Sequence, residues 1–131
     1  MAATAVDSKG GGETQGAAAA VGDGGDRPAC CSLYHRAIEL VGKRWTGAIL
    51  LVLMDGPLHF SGIRQLVPEL SDRLLSERLK ELEAEGIVER RVLDGSPVRV
   101  EYSLTAKGRA LEPTLGALKE WAQTHQPVRE P

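Results

Sequence analysis

Between residues 73 and 80 the chain places four polar side chains at helical spacing: Arg73, Ser76, Glu77 and Lys80. Residues three or four apart share one side of a helix, so these groups project together. Their chemistry is that of hydrogen-bonding recognition. A guanidinium grips guanine O6 and N7 or a phosphate, a hydroxyl donates or accepts, and a carboxylate accepts from cytosine N4. On the other side of the same stretch lie Leu75, Leu79 and Leu82, an apolar stripe suited to anchoring the helix on a core.

The flanking residues supply the elements that must hold these groups. Ser71 caps the helix, Asp72 sits in its first turn where the dipole favours negative charge, and Gly86 fits the left-handed position just past its end. A full capping box is absent, because the third helical position is Leu74 rather than Glu. Before it, Ser61 caps a shorter helix through Val67, which Pro68 terminates. Pro68-Glu69-Leu70 therefore joins two crossing helices, the geometry of a helix-turn-helix. In that geometry the second helix enters the DNA major groove with its N-terminal residues at the base edges. Arg73, Ser76 and Glu77 occupy that half, and Ser71 and Arg78 complete the contact set expected of this helix. The plainer alternative is an ordinary solvated surface helix.

Two strands follow over residues 87–93 and 98–104. In the second, Val98, Val100, Tyr102 and Leu104 alternate with Arg99, Glu101 and Ser103, the pattern of a half-buried strand. Asp94-Gly95 marks a hairpin tip. Such a ribbon is a wing. Arg91 and Arg99, with Arg90 beside them, would lie along the phosphate backbone or reach into the minor groove, fixing register rather than sequence. Arg64 is a further phosphate candidate, whereas His59 reads as a surface or cap residue. The alternative for the ribbon is a solvated face on which arginines pair with Glu89 or Glu101; Arg99 and Glu101 share a face.

Apolar spacing predicts a first helix over residues 32–41, capped by Ser32 and striped by Leu33, Ala37, Ile38 and Val41. A second, over residues 45–54, is apolar all round from Ala48 to Met54 and should be the buried centre. Residues 58–60 read as a short extended piece. Thr105 caps a last helix to about residue 124, striped by Leu111, Leu115, Leu118 and Ala122 with Trp121 beside it; Pro113 must kink it or start a new segment. The fold class is mainly α with a small β-ribbon, a winged helix-turn-helix.

With 131 residues there is room for one domain. Residues 1–29 hold seven of the fifteen glycines, the Ala17–Ala20 run and no aromatic residue, and are expected to form a disordered tail, leaving residues 30–129 as the domain. Removing the tail's 2 basic and 4 acidic side chains from totals of 16 and 18 leaves 14 of each sign for residues 30–131. A neutral domain weakens the simplest electrostatic case for nucleic acid; clustering must substitute for net charge. No Cys/His cluster has zinc spacing, no glycine loop has the form of a phosphate cradle, and His35, His59 and His125 are scattered. Neither enzyme activity, metal nor cofactor is expected. No apolar run approaches the roughly 20 residues of a membrane span. The N-terminus lacks the basic start and apolar core of a secretory signal, so a cytoplasmic protein without a membrane partner is expected.

The motifs Gly42-Lys43-Arg44-Trp45-Thr46, Gly56-Pro57-Leu58-His59-Phe60-Ser61 and Leu70-Ser71-Asp72-Arg73-Leu74-Leu75-Ser76-Glu77-Arg78-Leu79 come in this order. Leu82-Glu83-Ala84-Glu85-Gly86-Ile87-Val88-Glu89-Arg90 and Pro97-Val98-Arg99-Val100-Glu101-Tyr102-Ser103-Leu104-Thr105, then Gly108, follow. Together they resemble the HxlR-type winged helix-turn-helix transcriptional regulators over nearly all of residues 31–125. The resemblance implies a homodimeric regulator of transcription that binds double-stranded DNA, a repressor on an inverted-repeat operator. It places the dimer interface on the first and last helices, here Leu33, Leu111, Leu115, Leu118 and Trp121, all of which also suit an intramolecular core.

Some members of that family sense oxidants or electrophiles through an N-terminal cysteine, which Cys31 matches; Cys30 adjoins it. Thiolate is the reactive form of cysteine and is favoured beside helix N-termini. The bland alternative is a small residue packed against a neighbouring subunit. The chain departs from the family in having Ser32 where Pro is frequent, and in its doubled cysteine. Two other readings stay open. One is a small-molecule effector held between the dimerisation helices and the winged domain, near Trp45 and Trp121. The other is a winged-helix module that binds protein and has no DNA affinity.

Overall fold

The computed structural model describes residues 21–128. Most of the expected tail, residues 1–20, lies outside the described residues. The chain divides before Ser32 into two units. In the first, Gly24 adopts φ 91° and its carbonyl accepts from the Arg27 N–H at 3.2 Å, while Asp23 Oδ1 accepts from the Gly25 N–H at 2.9 Å.

The second unit holds every helix and strand among the described residues. Helix α1 spans Ser32–Val41 and buries no residue; only Leu40 and Val41 lean on the core. Helix α2 spans Thr46–Leu53. Its Ile49, Leu50 and Leu53 are fully buried, as the all-apolar run requires. It begins one residue later than expected, because Trp45 adopts the left-handed region at φ 76° and ends the preceding turn. A bulky residue there is a backbone outlier.

Strand β1 (Leu58–His59) runs straight into helix α3 (Phe60–Leu66). The expected cap Ser61 lies inside α3; the residue at the N-cap is His59, whose extended backbone ends the strand and starts the helix, with no side-chain cap. Helix α4 spans Asp72–Ala84, and Ser71 Oγ accepts from the Leu74 N–H at 3.1 Å. Its end is a Schellman motif. Gly86 at φ 76° donates to Glu83 O at 3.0 Å, and Ile87 donates to Leu82 O at 2.9 Å. Ile87 is itself buried with Leu82, so the cap also turns the chain inward to begin the sheet.

Strands β2 (Val88–Leu93) and β3 (Arg99–Leu104) form the hairpin, with residues 94–98 as its loop. The sheet is larger than a two-stranded ribbon. Strand β1 pairs with the other edge of β3, giving the order β1-β3-β2; Leu58 lies opposite Tyr102 and His59 opposite Glu101. His59 Nδ1–H also donates to the Val100 carbonyl at 3.0 Å.

The last helix is two. Helix α5 (Ala106–Arg109) is capped by Thr105, whose Oγ1 accepts from the Gly108 N–H at 3.1 Å and donates to the Gly86 carbonyl at 2.6 Å. Helix α6 (Glu112–His125) carries Pro113 in its first turn, where the missing N–H costs nothing. Gly108 packs so closely that a Cβ there would overlap the Ile87 carbonyl oxygen. Gly108→Ala is therefore expected to destabilise the domain by about 1–3 kcal/mol through overpacking, measured as a lower urea midpoint. An unchanged midpoint would show that α5 shifts freely.

Candidate nucleic-acid interface

Helix α4 sets the geometry. Leu75, Leu79 and Leu82 are buried in the core shared with α2, α3 and the sheet, and this turns Arg73, Glu77 and Lys80 outward. The Arg73 side chain is 90% exposed, and its Nε lies 3.4 Å from Glu77 Oε2. Such an exposed pair is worth a few tenths of a kcal/mol, so either partner is easily exchanged for a base or a phosphate. Ser76 is half-buried on the flank that faces the hairpin.

The register of the hairpin separates its arginines. Arg90 lies opposite Tyr102, and Arg91 lies opposite Glu101, so alternation sends them to opposite faces. Arg90 and Tyr102 close a cleft of about 310 Å³ with Ser76, Leu79, Lys80 and Glu83 of α4. Arg91 and Arg99 share the other face with Glu89 and Glu101. Arg91 Nη2 lies 3.8 Å from Glu89 Oε2. Lys80, Arg90 and Arg99 have no carboxylate partner among the described residues. The sequence offers Lys80 and Arg90 separately, one on a helix and one on a strand. Only the packing of α4 against the sheet brings them to one cleft.

Two other arginines are engaged within the domain. Arg64 Nε donates to Asp72 Oδ1 at 2.6 Å, tying α3 to the first turn of α4. The Arg78 side chain is 16% exposed, and its Nε donates to the Arg44 carbonyl at 3.0 Å. Ser71 holds the cap of α4. These three residues sit at the edge of the outward face and fasten it.

Elsewhere, Cys30 and Cys31 are exposed free thiols. On α1 and α6, Leu33, Leu118 and Trp121 are 68%, 60% and 51% exposed. Leu115 instead packs inward at 6% exposure, and Leu111 is partly buried against the core. Trp121 stacks on His125 with ring centroids 5.2 Å apart. A pocket of about 340 Å³ beside α1 is lined by Leu33, Arg36, Leu40, Ile87, Lys107 and Leu111, among others. Neither Trp45 nor Trp121 lines it. Among the described residues no group of three or more His, Cys, Asp or Glu could hold a metal ion, and no helix is long and apolar enough to cross a membrane.

A capped helix presented beside a three-stranded sheet with a projecting hairpin defines a winged helix-turn-helix protein. The sequence model described as HxlR-like helix-turn-helix matches residues 40–130, and the chain belongs to that family. Its fold and family are those of helix-turn-helix transcriptional regulators. It is 50% identical over 92 residues to YvaP of Bacillus subtilis, an uncharacterized HTH-type transcriptional regulator, covering 70% of this chain and 85% of YvaP. It is 49% identical over 92 residues to the HTH-type transcriptional regulator YodB of the same organism, covering 70% of this chain and 82% of YodB. The solved structure of reduced YodB superposes with a TM-score of 0.68 at 44% identity, covering 78% of this chain and 100% of YodB. The redox regulator HypR in its oxidized form superposes with a TM-score of 0.70 at 38% identity, covering 73% of this chain and 99% of HypR.

Because Ser71 satisfies an otherwise unpaired N–H of α4, Ser71→Ala is expected to cost on the order of 1 kcal/mol. Chemical denaturation checks this; Ser71→Asp should restore most of the loss, and failure of that rescue would argue against a capping role.

Proposed function

We propose that this protein is a cytoplasmic, non-catalytic transcriptional regulator, a repressor that binds an inverted-repeat operator in double-stranded DNA as a homodimer. The observation that carries the reading is the outward face of α4, with Arg73, Glu77 and Lys80, lying beside a hairpin that bears Arg90, Arg91 and Arg99. In this reading α4 enters the major groove. Arg73, Ser76 and Glu77 meet base edges, while Arg91 and Arg99 meet the backbone, with Arg90 and Lys80 at the cleft between. Ser71, Arg64 and Arg78 bear on the DNA by holding α4 in place. Exposed Leu33, Leu118 and Trp121 support a dimer through α1 and α6, with two copies of α4 set about 34–36 Å apart, one helical turn of DNA.

The test is fluorescence anisotropy on a duplex selected from a random-sequence pool and on its scrambled counterpart, across a salt series. Sequence-dependent binding that weakens with salt is expected. Arg73→Ala should cost about 1–3 kcal/mol on the selected duplex. Arg99→Ala should weaken both duplexes alike and reduce the salt slope by about 1. Absence of duplex binding at every salt concentration would overturn the reading and favour a protein-binding winged helix.

A second property is favoured by the two exposed free thiols. YodB has been solved in reduced, diamide-treated and quinone-bound forms. We propose that Cys31, with Cys30 adjoining, makes DNA binding responsive to oxidants or electrophiles. Diamide is expected to shift DNA affinity in the native chain and not in Cys31→Ser. Unchanged affinity together with no crosslinked dimer on a non-reducing gel would rule this out.

A further inference from the structure

Helix α4 is held on more than its buried side. On the flank away from the hairpin, Arg78 Nη1 donates to Glu81 Oε1 and Oε2, both at 3.3 Å. Arg78 Nε reaches across to the Arg44 carbonyl at 3.0 Å, and Lys43 Nζ lies 3.3 Å from Glu81 Oε2. Arg78 and Glu81 thus seize both a backbone carbonyl and a side chain of the turn between α1 and α2.

That turn is itself closely packed. A Cβ on Gly42 would come within 2.7 Å of the Ile38 carbonyl oxygen. Trp45 is held at φ 76°, and the Arg44 guanidinium lies over the Trp45 ring, 5.4 Å from its centroid. On the opposite flank Ser76 and Glu83 face Arg90 and Tyr102 of the hairpin. Between these two flanks the outward face of Arg73, Glu77 and Lys80 is left free.

Leucines alone permit small rotations of a helix about its own axis, because apolar contact is not directional. A forked, charge-assisted set of hydrogen bonds is directional. We propose that Arg78 is a positioning residue for DNA recognition. It clamps α4 to the α1–α2 turn, sets the helix's rotation about its axis, and so fixes where Arg73 and Glu77 meet the bases. This rests on the DNA-binding reading above and assigns Arg78 no contact with DNA.

The experiment compares native protein, Arg78→Lys, Arg78→Ala and Glu81→Gln on the selected and scrambled duplexes, with salt slopes and thermal unfolding. Lysine keeps the charge but not the planar fork. The expected result is a loss of about tenfold or more on the selected duplex for both Arg78 variants. Binding to scrambled DNA and the salt slope should stay near native. Glu81→Gln should lose preference in the same direction by a smaller factor, and it stands in if Arg78→Ala fails to fold.

Two outcomes overturn the proposal. If Arg78→Lys binds as the native protein while Arg78→Ala weakens both duplexes and lowers the salt slope by about 1, Arg78 is a phosphate contact. If all variants keep the native ratio of selected to scrambled binding and only melt earlier, the clamp is structural. Native protein that binds no duplex would instead sink the DNA-binding reading, and this inference with it.

Discussion

Burial of Leu75, Leu79 and Leu82 on one side of α4 is the constraint from which the rest of the domain follows. Once that stripe is taken into the core, the helix has a fixed inner side, and every polar group on it acquires a direction. Arg73 and Glu77 point to solvent, Arg78 and Glu81 point to the α1–α2 turn, and Ser76 and Glu83 point to the hairpin. The helix ends reinforce the same placement. Ser71 caps one end, Arg64 ties it to α3 through Asp72, and the Schellman turn at Gly86 leads directly into β2. The hairpin is therefore positioned by the same helix whose face it flanks.

In the proposed function, this arrangement lets a domain with as many acidic as basic side chains present a surface for a polyanion. Charge is sorted by role. Arg64, Arg78 and Lys43 are paired with Asp72 and Glu81 within the fold. Arg73 and Arg91 hold only exposed partners at 3.4 and 3.8 Å, which are weak and screened by salt. Lys80, Arg90 and Arg99 have no carboxylate partner among the described residues. Helix α4 and the hairpin thus carry a set of exchangeable cations, although the net charge is near zero.

The two terminal helices show a different logic. Helix α6 contributes Leu115 to the core, yet leaves Leu118 and Trp121 in solvent, and α1 leaves Leu33, Tyr34 and Ile38 exposed while touching the core only near its end. Apolar stripes of this kind are half-used within one chain. They are costly to leave in water, which is why a second copy is the natural occupant in the proposed function.

Most of the element order was legible in local sequence, because caps, breakers and periodicity act over a few residues. Ser71, Gly86, Pro68, Thr105 and the leucine stripe of α4 all signal their roles from neighbours in the chain, and the polar face of α4 follows from them. The errors arose where distant segments decide. Nothing near Leu58 announces its pairing with Tyr102, and Ser61 lost the cap to His59 because β1 runs directly into α3. Alternation along β2 parts Arg90 from Arg91, but only packing against α4 decided that Arg90 is the one at the cleft, and Arg78, one polar residue among several on α4, was drawn inward by a carbonyl 34 residues away. The sequence by itself determined which helices and strands form and which side of each is apolar, since those depend on local backbone preference and side-chain period. Tertiary structure alone decided which arginines face outward and which brace the fold, since that depends on register and on contacts between segments remote in the chain.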